Sequence, residues 1–318
     1  MMVTKKWCYL NRSVLVVREK IFFVKTFLNI LSHGFLWLLA VMPYTWVVRI
    51  GYAMAAIAPT FSKSRVKVIN ANLKVCFPNL SQAERDQLAR DHWRLLGRSF
   101  AERGRLWLGS QKSIDEFVTV YPEVDMNDGK PRLYVSMHMV GIEAGLIAIT
   151  LHLKKIKAAP GITLYVFMKN EYFEPRIKKW RERFGARMLL RQSHGRELIR
   201  EARKGTFVCL SPDMDLGRND SEFVPFFGVP TNTVLAVSKT ARLAGAEVCP
   251  IFTTLRADGS GYDCHVGKPW PNFPSDDPVA DTARMNAYFE EVIKPRIPEY
   301  YWIHKRFKNR PDGQPSIY

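Results

Sequence analysis

The feature that most constrains this chain is a run without charge. From Thr26 to Val48 there is no Asp, Glu, Lys or Arg, and Phe27, Leu28, Ile30, Leu31, Phe35, Trp37, Leu38, Leu39, Val41 and Val47 make the run strongly apolar. A helix of about 20 such residues crosses the hydrocarbon core of a bilayer. The run therefore reads as a membrane helix, with residues 1–62 as an N-terminal anchoring segment and residues 63–318 as one larger domain. A cleaved signal peptide is the competing reading, with Ala53, Ala55, Ala56 and Ala58 near a cleavage point, but the run begins too late and is too long for one. Lys5, Lys6, Arg12, Arg18, Lys20 and Lys25 precede the run, and Arg49, Lys63, Arg65 and Lys67 follow it. Basic flanks on both sides leave orientation open. Pro43 and the second uncharged stretch, Ile50 to Ser62, admit a kinked or re-entrant path as well as a simple span.

Past the anchor, no Gly/Ser/Pro-rich linker or low-complexity run divides the 318 residues, so one large domain is expected. Leu80-Ser81-Gln82-Ala83-Glu84 reads as a helix start, with Ser81 as cap and Glu84 closing a capping box. Leu88, Trp93, Leu95 and Leu96 would be its apolar face, and the plain reading is a helix that packs. Short apolar runs at Arg132–Ser136, Thr163–Phe167, Thr206–Leu210 and Val248–Phe252 look like buried strands, separated by amphipathic stretches such as Pro175–Phe184 and Gly195–Lys204. This alternation predicts a layered α/β domain around a central, mostly parallel mixed sheet flanked by helices.

The first strand ends at Ser136-Met137-His138, and an apolar helix follows, which puts His138 at the carboxyl end of a strand, where open α/β sheets place their ligands. Glu143 lies five residues on. If His138 precedes the helix and Glu143 stands on its first turns, the carboxylate fixes the imidazole tautomer and the other ring nitrogen serves as a general base toward an alcohol. An activated thioester then needs no serine or cysteine nucleophile. With seven histidines and 30 acidic residues in the chain, chance supplies roughly 0.7 acidic residues five positions after a histidine. The spacing alone is thus equally compatible with a core histidine hydrogen-bonded at a strand end.

Charge adds a direction but no identity. The chain carries 47 Lys plus Arg against 30 Asp plus Glu, a net +17, which favours anionic partners of any kind. No RNP-like aromatic signature, zinc spacing or homeodomain pattern accompanies it, so nucleic-acid binding rests on charge alone, and the membrane-length run argues against it. The five scattered cysteines form neither a metal motif nor a disulfide framework, as suits a reducing, cytosol-facing setting.

Downstream stand Asp213-Met214-Asp215 and Glu222-Phe223-Val224-Pro225-Phe226-Phe227-Gly228-Val229-Pro230-Thr231. With His138 and Glu143 ahead of them, Asn70-Ala71-Asn72-Leu73 and Cys76-Phe77-Pro78 earlier, and Tyr301 to Pro311 at the end, this order of motifs resembles the late acyltransferases of lipid A biosynthesis, the lauroyl/myristoyl-transferring type. The resemblance runs along nearly the whole chain. It implies the fold of the glycerolipid acyltransferases, an acyl-carrier-protein thioester as donor, a phosphorylated, Kdo-bearing lipid A precursor as acceptor, and a place at the bacterial inner membrane with the catalytic domain facing the cytoplasm. It also implies that His138 and Glu143 are the catalytic pair, and that Arg183 and Asp213 are active-site residues.

Around that centre, Arg191 and Arg218 are candidate anion contacts within a dense basic stretch, beside Arg183. Asp215 is a second acidic candidate. Asp213 and Asp215 lack a third ligand at diagnostic spacing, so an orienting role is expected for them and neither a metal nor a cofactor is. Phe223, Pro225, Phe227 and Gly228 are candidate walls of an acyl-chain groove. An acyltransferase of the same fold acting on a glycerolipid, mannolipid or amino-acid lipid is the alternative within enzymes. A catalytically inert relative is a third reading, against which the intact His138 and Glu143 weigh.

Overall fold

The computed structural model describes residues 23–191 and 195–318. The basic flank from Lys5 to Lys20 lies outside them. The uncharged run spans two helices, α1 (Phe23–Val41), which ends before Pro43, and the start of α2 (Tyr44–Phe61). Proline has no N–H and disfavours helical geometry in the residue before it, so the chain turns there. Among the described residues α1 alone is long and apolar enough to cross a membrane. Its Phe27, Leu31 and Trp37 are 54%, 53% and 60% exposed, and Trp46, Ile57 and Phe61 of α2 are exposed as well, an apolar surface that a water-soluble domain would bury.

Both helices lie on α4 (Gln82–Leu108), which begins at the expected capping box: Glu84 N–H donates to Ser81 Oγ (3.3 Å) and Ser81 N–H to Glu84 Oε2 (2.7 Å). The contact is made through missing side chains. A Cβ on Gly97 would stand 2.4 Å from Gly51 O of α2, and one on Gly104 would stand 2.5 Å from Leu36 O of α1. One turn of α4 also carries a buried clamp. Glu102 accepts from Arg98 Nε, Tyr44 Oη and Tyr262 Oη, each at 2.7 Å, and so ties the start of α2 to the sheet. A buried carboxylate is tolerable only when its lone pairs are filled in this way. α3 (Lys63–Cys76) precedes α4 and α5 (Gln111–Phe117) follows it.

The sheet has seven strands: β1 (Val118–Pro122), β2 (Arg132–Ser136), β3 (Ile162–Tyr165), β4 (Arg187–Leu190), β5 (Val208–Leu210), β8 (Glu247–Leu255) and β9 (Tyr262–Val266). Their order is β1-β9-β8-β2-β5-β3-β4, and every pairing is parallel except the β8–β9 hairpin. β2 is buried along its whole length, as a central parallel strand covered on both faces must be. Tyr134 and Cys209 pack with α6 (Ile142–Lys155) on one face. Leu133, Val135, Val208 and Leu210 pack with α8 (Gly195–Arg203) and α9 (Ala236–Ala244) on the other. The remaining elements are α7 (Phe173–Glu182), α10 (Pro278–Ile293) and a separate antiparallel hairpin, β6 (Ser221–Phe226) and β7 (Val229–Val234).

The predicted α/β layers and mostly parallel sheet are thus present: Arg132–Ser136 is a strand with the bounds read in the sequence, and the other bounds differ by at most three residues. The α1–α2–α4 contact gives a sign-reversed prediction. Gly to Ala inside a helix normally gains about 1 kcal/mol. At Gly97 the overlap with Gly51 costs about 1–3 kcal/mol instead, so Gly97→Ala should lower the thermal midpoint in detergent. Gly34→Ala, with nothing within 4 Å of its new methyl, should not.

Candidate active site

Register brings His138 and Asp213 together. In the parallel pair β2–β5, Val135 stands opposite Leu210. His138 and Asp213 each lie three residues further along, so they leave the carboxyl edge of the sheet side by side. Asp213 takes both donors of His138, accepting from Nδ1 at 2.6 Å (Oδ1) and from the backbone N–H at 2.8 Å (Oδ2). A carboxylate can only accept, so Nδ1 carries the proton and Nε2 is left as the basic nitrogen.

The C-terminal segment holds this pair from behind. Tyr301 N–H donates to His138 O (2.9 Å), Val140 N–H donates to Glu299 O (2.8 Å), and Met139 and Tyr300 form an isolated antiparallel bridge. Tyr300 is almost fully buried, and burial together with the negative charge of Asp213 holds its hydroxyl protonated. Arg306 is buried beneath, donating to Asn232 O and Thr233 Oγ1.

The electrostatics of the pair are mutual. Burial alone would lower the pKa of His138, but the charge and hydrogen bond of Asp213 outweigh it and raise that pKa above the ordinary value. Burial would raise the pKa of Asp213, yet His138, its backbone N–H and Arg306 outweigh it and hold the carboxylate ionised, its pKa lowered. The imidazole keeps a 28% exposed side chain.

Glu143 does stand on the first turn of α6 after His138, but its carboxylate goes elsewhere. Arg181 clamps it with Nε–H to Oε1 at 2.7 Å and Nη2–H to Oε2 at 2.5 Å, and Trp107 Nε1–H adds 2.7 Å. Against the cost of burial, these groups and the nearby Arg103 hold Glu143 ionised, its pKa lowered. The expected His138–Glu143 hydrogen bond is therefore replaced by His138–Asp213. Helical geometry turns Glu143 toward α4 and α7, where guanidinium and indole donors fill its oxygens.

Other expected residues divide in the same way. Arg183 does not line the cavity: its guanidinium donates to Leu106 O (3.0 Å) near the end of α4 and stacks on Phe184, whereas Arg181, two residues earlier, lines the cavity and clamps Glu143. Asp215 does not face the chemistry. It accepts from Asn309 N–H (2.7 Å), Asn309 Nδ2 (2.6 Å) and Asn232 Nδ2 (3.1 Å), while its own N–H donates to His304 Nε2 (3.1 Å). Burial pushes His304 down to about 4, so it is a neutral acceptor there. Arg218 is at the surface, paired with Asp312 at 2.8 Å.

His138 and Glu143 share one cavity of about 690 Å³, lined largely by Leu, Ile, Val and Met side chains, together with Arg103, Arg181 and Arg191. It opens along the carboxyl edge of β2, β5 and β3, and one stripe of α4 (Leu96, Ser99, Glu102, Arg103, Leu106) forms a wall. The helix expected only to pack therefore faces the membrane helices on one side and the cavity on the other. Phe223, Pro225, Phe227 and Gly228 are absent from its lining. They belong to the β6–β7 hairpin, whose two-residue turn Phe227-Gly228 has positive φ at both positions. Phe227 packs on Phe77 (4.9 Å) and Trp302 (6.1 Å), a structural corner rather than a groove. Trp107, Arg103 and Tyr300 were not singled out in the sequence. The partners of Glu143 are 36 and 38 residues away, and only the proximity of Arg181 to Arg183 was a usable signal.

Comparison with known proteins agrees with this architecture. The family model described as bacterial lipid A biosynthesis acyltransferase matches residues 18–309. The chain is 29% identical over 293 residues to the lipid A biosynthesis lauroyltransferase of Escherichia coli (strain K12), covering 91% of this chain and 94% of that protein. It is 30% identical to the lipid A biosynthesis palmitoleoyltransferase of the same organism, with 90% and 92% covered. It is 31% identical to a lipid A biosynthesis acyltransferase of Haemophilus influenzae, with 91% and 86% covered. With the acidic partner of the histidine and an apolar cavity now located on such a sheet, the chain belongs to the bacterial lipid A biosynthesis acyltransferases.

Proposed function

We propose that the enzyme moves a fatty acyl group from an acyl-carrier-protein thioester to a hydroxyl of a phosphorylated lipid A precursor, with His138 as general base and Asp213 as the carboxylate that orients it. The observation that carries this reading is the imidazole with Nδ1 engaged by a buried carboxylate and Nε2 left over at the head of an apolar cavity. In the proposed step Nε2 removes the acceptor O–H proton as the oxygen bonds to the thioester carbonyl carbon. The tetrahedral intermediate then collapses, the C–S bond breaks, and the imidazolium returns its proton to the departing thiolate. The acceptor gains one acyl group and the donor leaves as a free thiol. Glu143 is assigned a supporting role, anchoring Arg181 and Trp107 against the cavity wall.

Residues 1–62 are proposed as the membrane-anchoring segment and the remainder as the catalytic domain, at the inner membrane with the catalytic side toward the cytoplasm, where an acidic carrier protein meets a net +17 chain. The exposed apolar faces of α1 and α2 support the anchoring. α4 then delivers the lipid acceptor directly, since its two faces meet those helices and the cavity.

Incubated with acyl carrier protein thioester and a lipid A precursor, the wild-type enzyme should add the mass of one acyl group to the acceptor. His138→Ala should lose about 10²-fold or more of that turnover while remaining folded, with a lower thermal midpoint because buried Asp213 loses a donor. A wild-type enzyme that acylates a glycerolipid but no lipid A precursor would refute the acceptor assignment.

The pH profile separates the two carboxylates. The base must be neutral, so kcat/KM should rise with pH through the raised pKa of His138. Asp213→Asn removes the charge that raises it and leaves only burial, which lowers it, so the acid limb should move to lower pH while kcat falls by about 10²–10⁴-fold. Glu143→Gln should reduce activity and leave the limb in place. A limb that moves with Glu143→Gln and stays with Asp213→Asn would reassign the partner.

A further inference from the structure

The charged groups on the cavity wall are almost all paired. Glu102 is held by Arg98, Tyr44 and Tyr262, Glu143 by Arg181 and Trp107, and Asp220 by Lys239. Among the described residues Arg103 and Arg191 are different, and of the two Arg191 is exposed. Arg103 stands on the cavity-facing stripe of α4, yet among the described residues no oxygen accepts from its guanidinium and no carboxylate lies within ion-pair distance. What fixes it is aromatic: the guanidinium lies 3.9 Å from the centre of the Phe100 ring and 5.6 Å from that of Trp107. Glu143, Arg181 and Tyr301 line the same cavity and act on its charge. Glu143 is already satisfied by Arg181, so two guanidinium groups against one carboxylate leave one uncompensated positive charge in a largely apolar cavity.

Such a charge is costly. Burial works against the Arg103 cation, and arginine cannot escape by losing its proton under ordinary conditions. The cost is relieved when an anion enters, which is how a preformed anion site differs from a structural arginine. Depth indicates which anion. The next residue along α4, Gly104, packs against Leu36, Leu39 and Ala40 of α1, in the last turns before that apolar helix ends at Val41. The end of a membrane-length helix lies at the head-group level of a bilayer, where lipid phosphates are found.

We propose that Arg103 holds a phosphate of the substrate on the cavity wall it shares with Glu143 and Tyr301, and that this contact sets the substrate against His138. The proposal rests on the acyl-transfer reading above. That reading offers two sources of phosphate: a phosphomonoester on the acceptor glycolipid, or the phosphodiester of the donor's pantetheine arm. The planar, forked guanidinium suits two phosphate oxygens at once, which an ammonium cannot match.

The test measures steady-state kinetics of the full chain in detergent micelles, as wild type, Arg103→Gln and Arg103→Lys. Acceptors with and without the phosphate and donors carrying acyl-phosphopantetheine or acyl-pantetheine are compared. Loss of a charge-assisted contact should raise KM for the phosphate-bearing substrate by about 10–100-fold with kcat changed far less, and Arg103→Lys should recover part of the loss. Wild type on the phosphate-free substrate should resemble Arg103→Gln, with no additional penalty when the two changes are combined. The substrate that shows this coupling identifies the phosphate. Equal penalties on phosphate-bearing and phosphate-free substrates, or a fall in kcat with both KM values unchanged, would overturn the proposal.

A binding readout separates this from the acyl-transfer reading. Dihexanoyl phosphatidic acid should raise the thermal midpoint of wild type more than that of Arg103→Gln, while dihexanoylglycerol should show no such difference. An Arg103-dependent shift in an enzyme that transfers no acyl group would refute the acyl-transfer reading and leave the anion site standing. A phosphatidic acid shift of equal size in both proteins would refute the anion site.

Discussion

A carboxylate taken out of water is tolerated only where donors fill its lone pairs, and Asp213 meets that condition by accepting from both the ring and the backbone of His138. The rest of the site follows from this pair. Parallel register sets the two residues level, the C-terminal segment fixes the His138 peptide through Tyr301 and Glu299, and Arg306 adds positive charge below. The imidazole gains a defined tautomer and a raised basicity, and the nitrogen that remains is the one beside the cavity. Glu143, satisfied by Arg181 and Trp107, contributes to the wall of the site rather than to the basicity of the histidine.

The second organising element is α4. Its glycines admit α1 and α2 to backbone contact, its Glu102 clamps the start of α2 to β9, and its opposite stripe lines the cavity. A single 27-residue helix thereby sets the distance between an apolar, exposed surface and the reactive histidine. For an enzyme whose acceptor is a membrane lipid, that distance decides whether the hydroxyl reaches the base without the acyl chains leaving an apolar surrounding.

Much of the scaffold was legible in the sequence, because local rules govern it. The uncharged run, the break at Pro43, the capping box at Ser81 and the buried strand Arg132–Ser136 are all short-range signals that packing reinforced. The position of His138 at a strand end was legible for the same reason. What the sequence did not reveal is which carboxylate meets it, because Asp213 is 75 residues away and only strand order brings it near, whereas Glu143 was attractive by its spacing and by the resemblance. Arg183 was misplaced because a two-residue difference on α7 turns a side chain to another face of the helix. The aromatic segment around Phe223–Phe227 was read as a groove because exposed and packed aromatic residues look alike until the hairpin's neighbours, Phe77 and Trp302, are known.

The central claim is that Asp213 holds His138 with Nδ1 protonated, and the ring nitrogens themselves report on it. Nitrogen-15 NMR of the histidine-labelled enzyme, with His138 assigned by its substitution, should show at neutral to mildly alkaline pH a protonated Nδ1 and an unprotonated Nε2. Both should titrate together above the ordinary histidine pKa, and this pattern should be lost in Asp213→Asn. A His138 ring with the proton on Nε2, or a spectrum indifferent to Asp213 and altered by Glu143→Gln, would contradict the account.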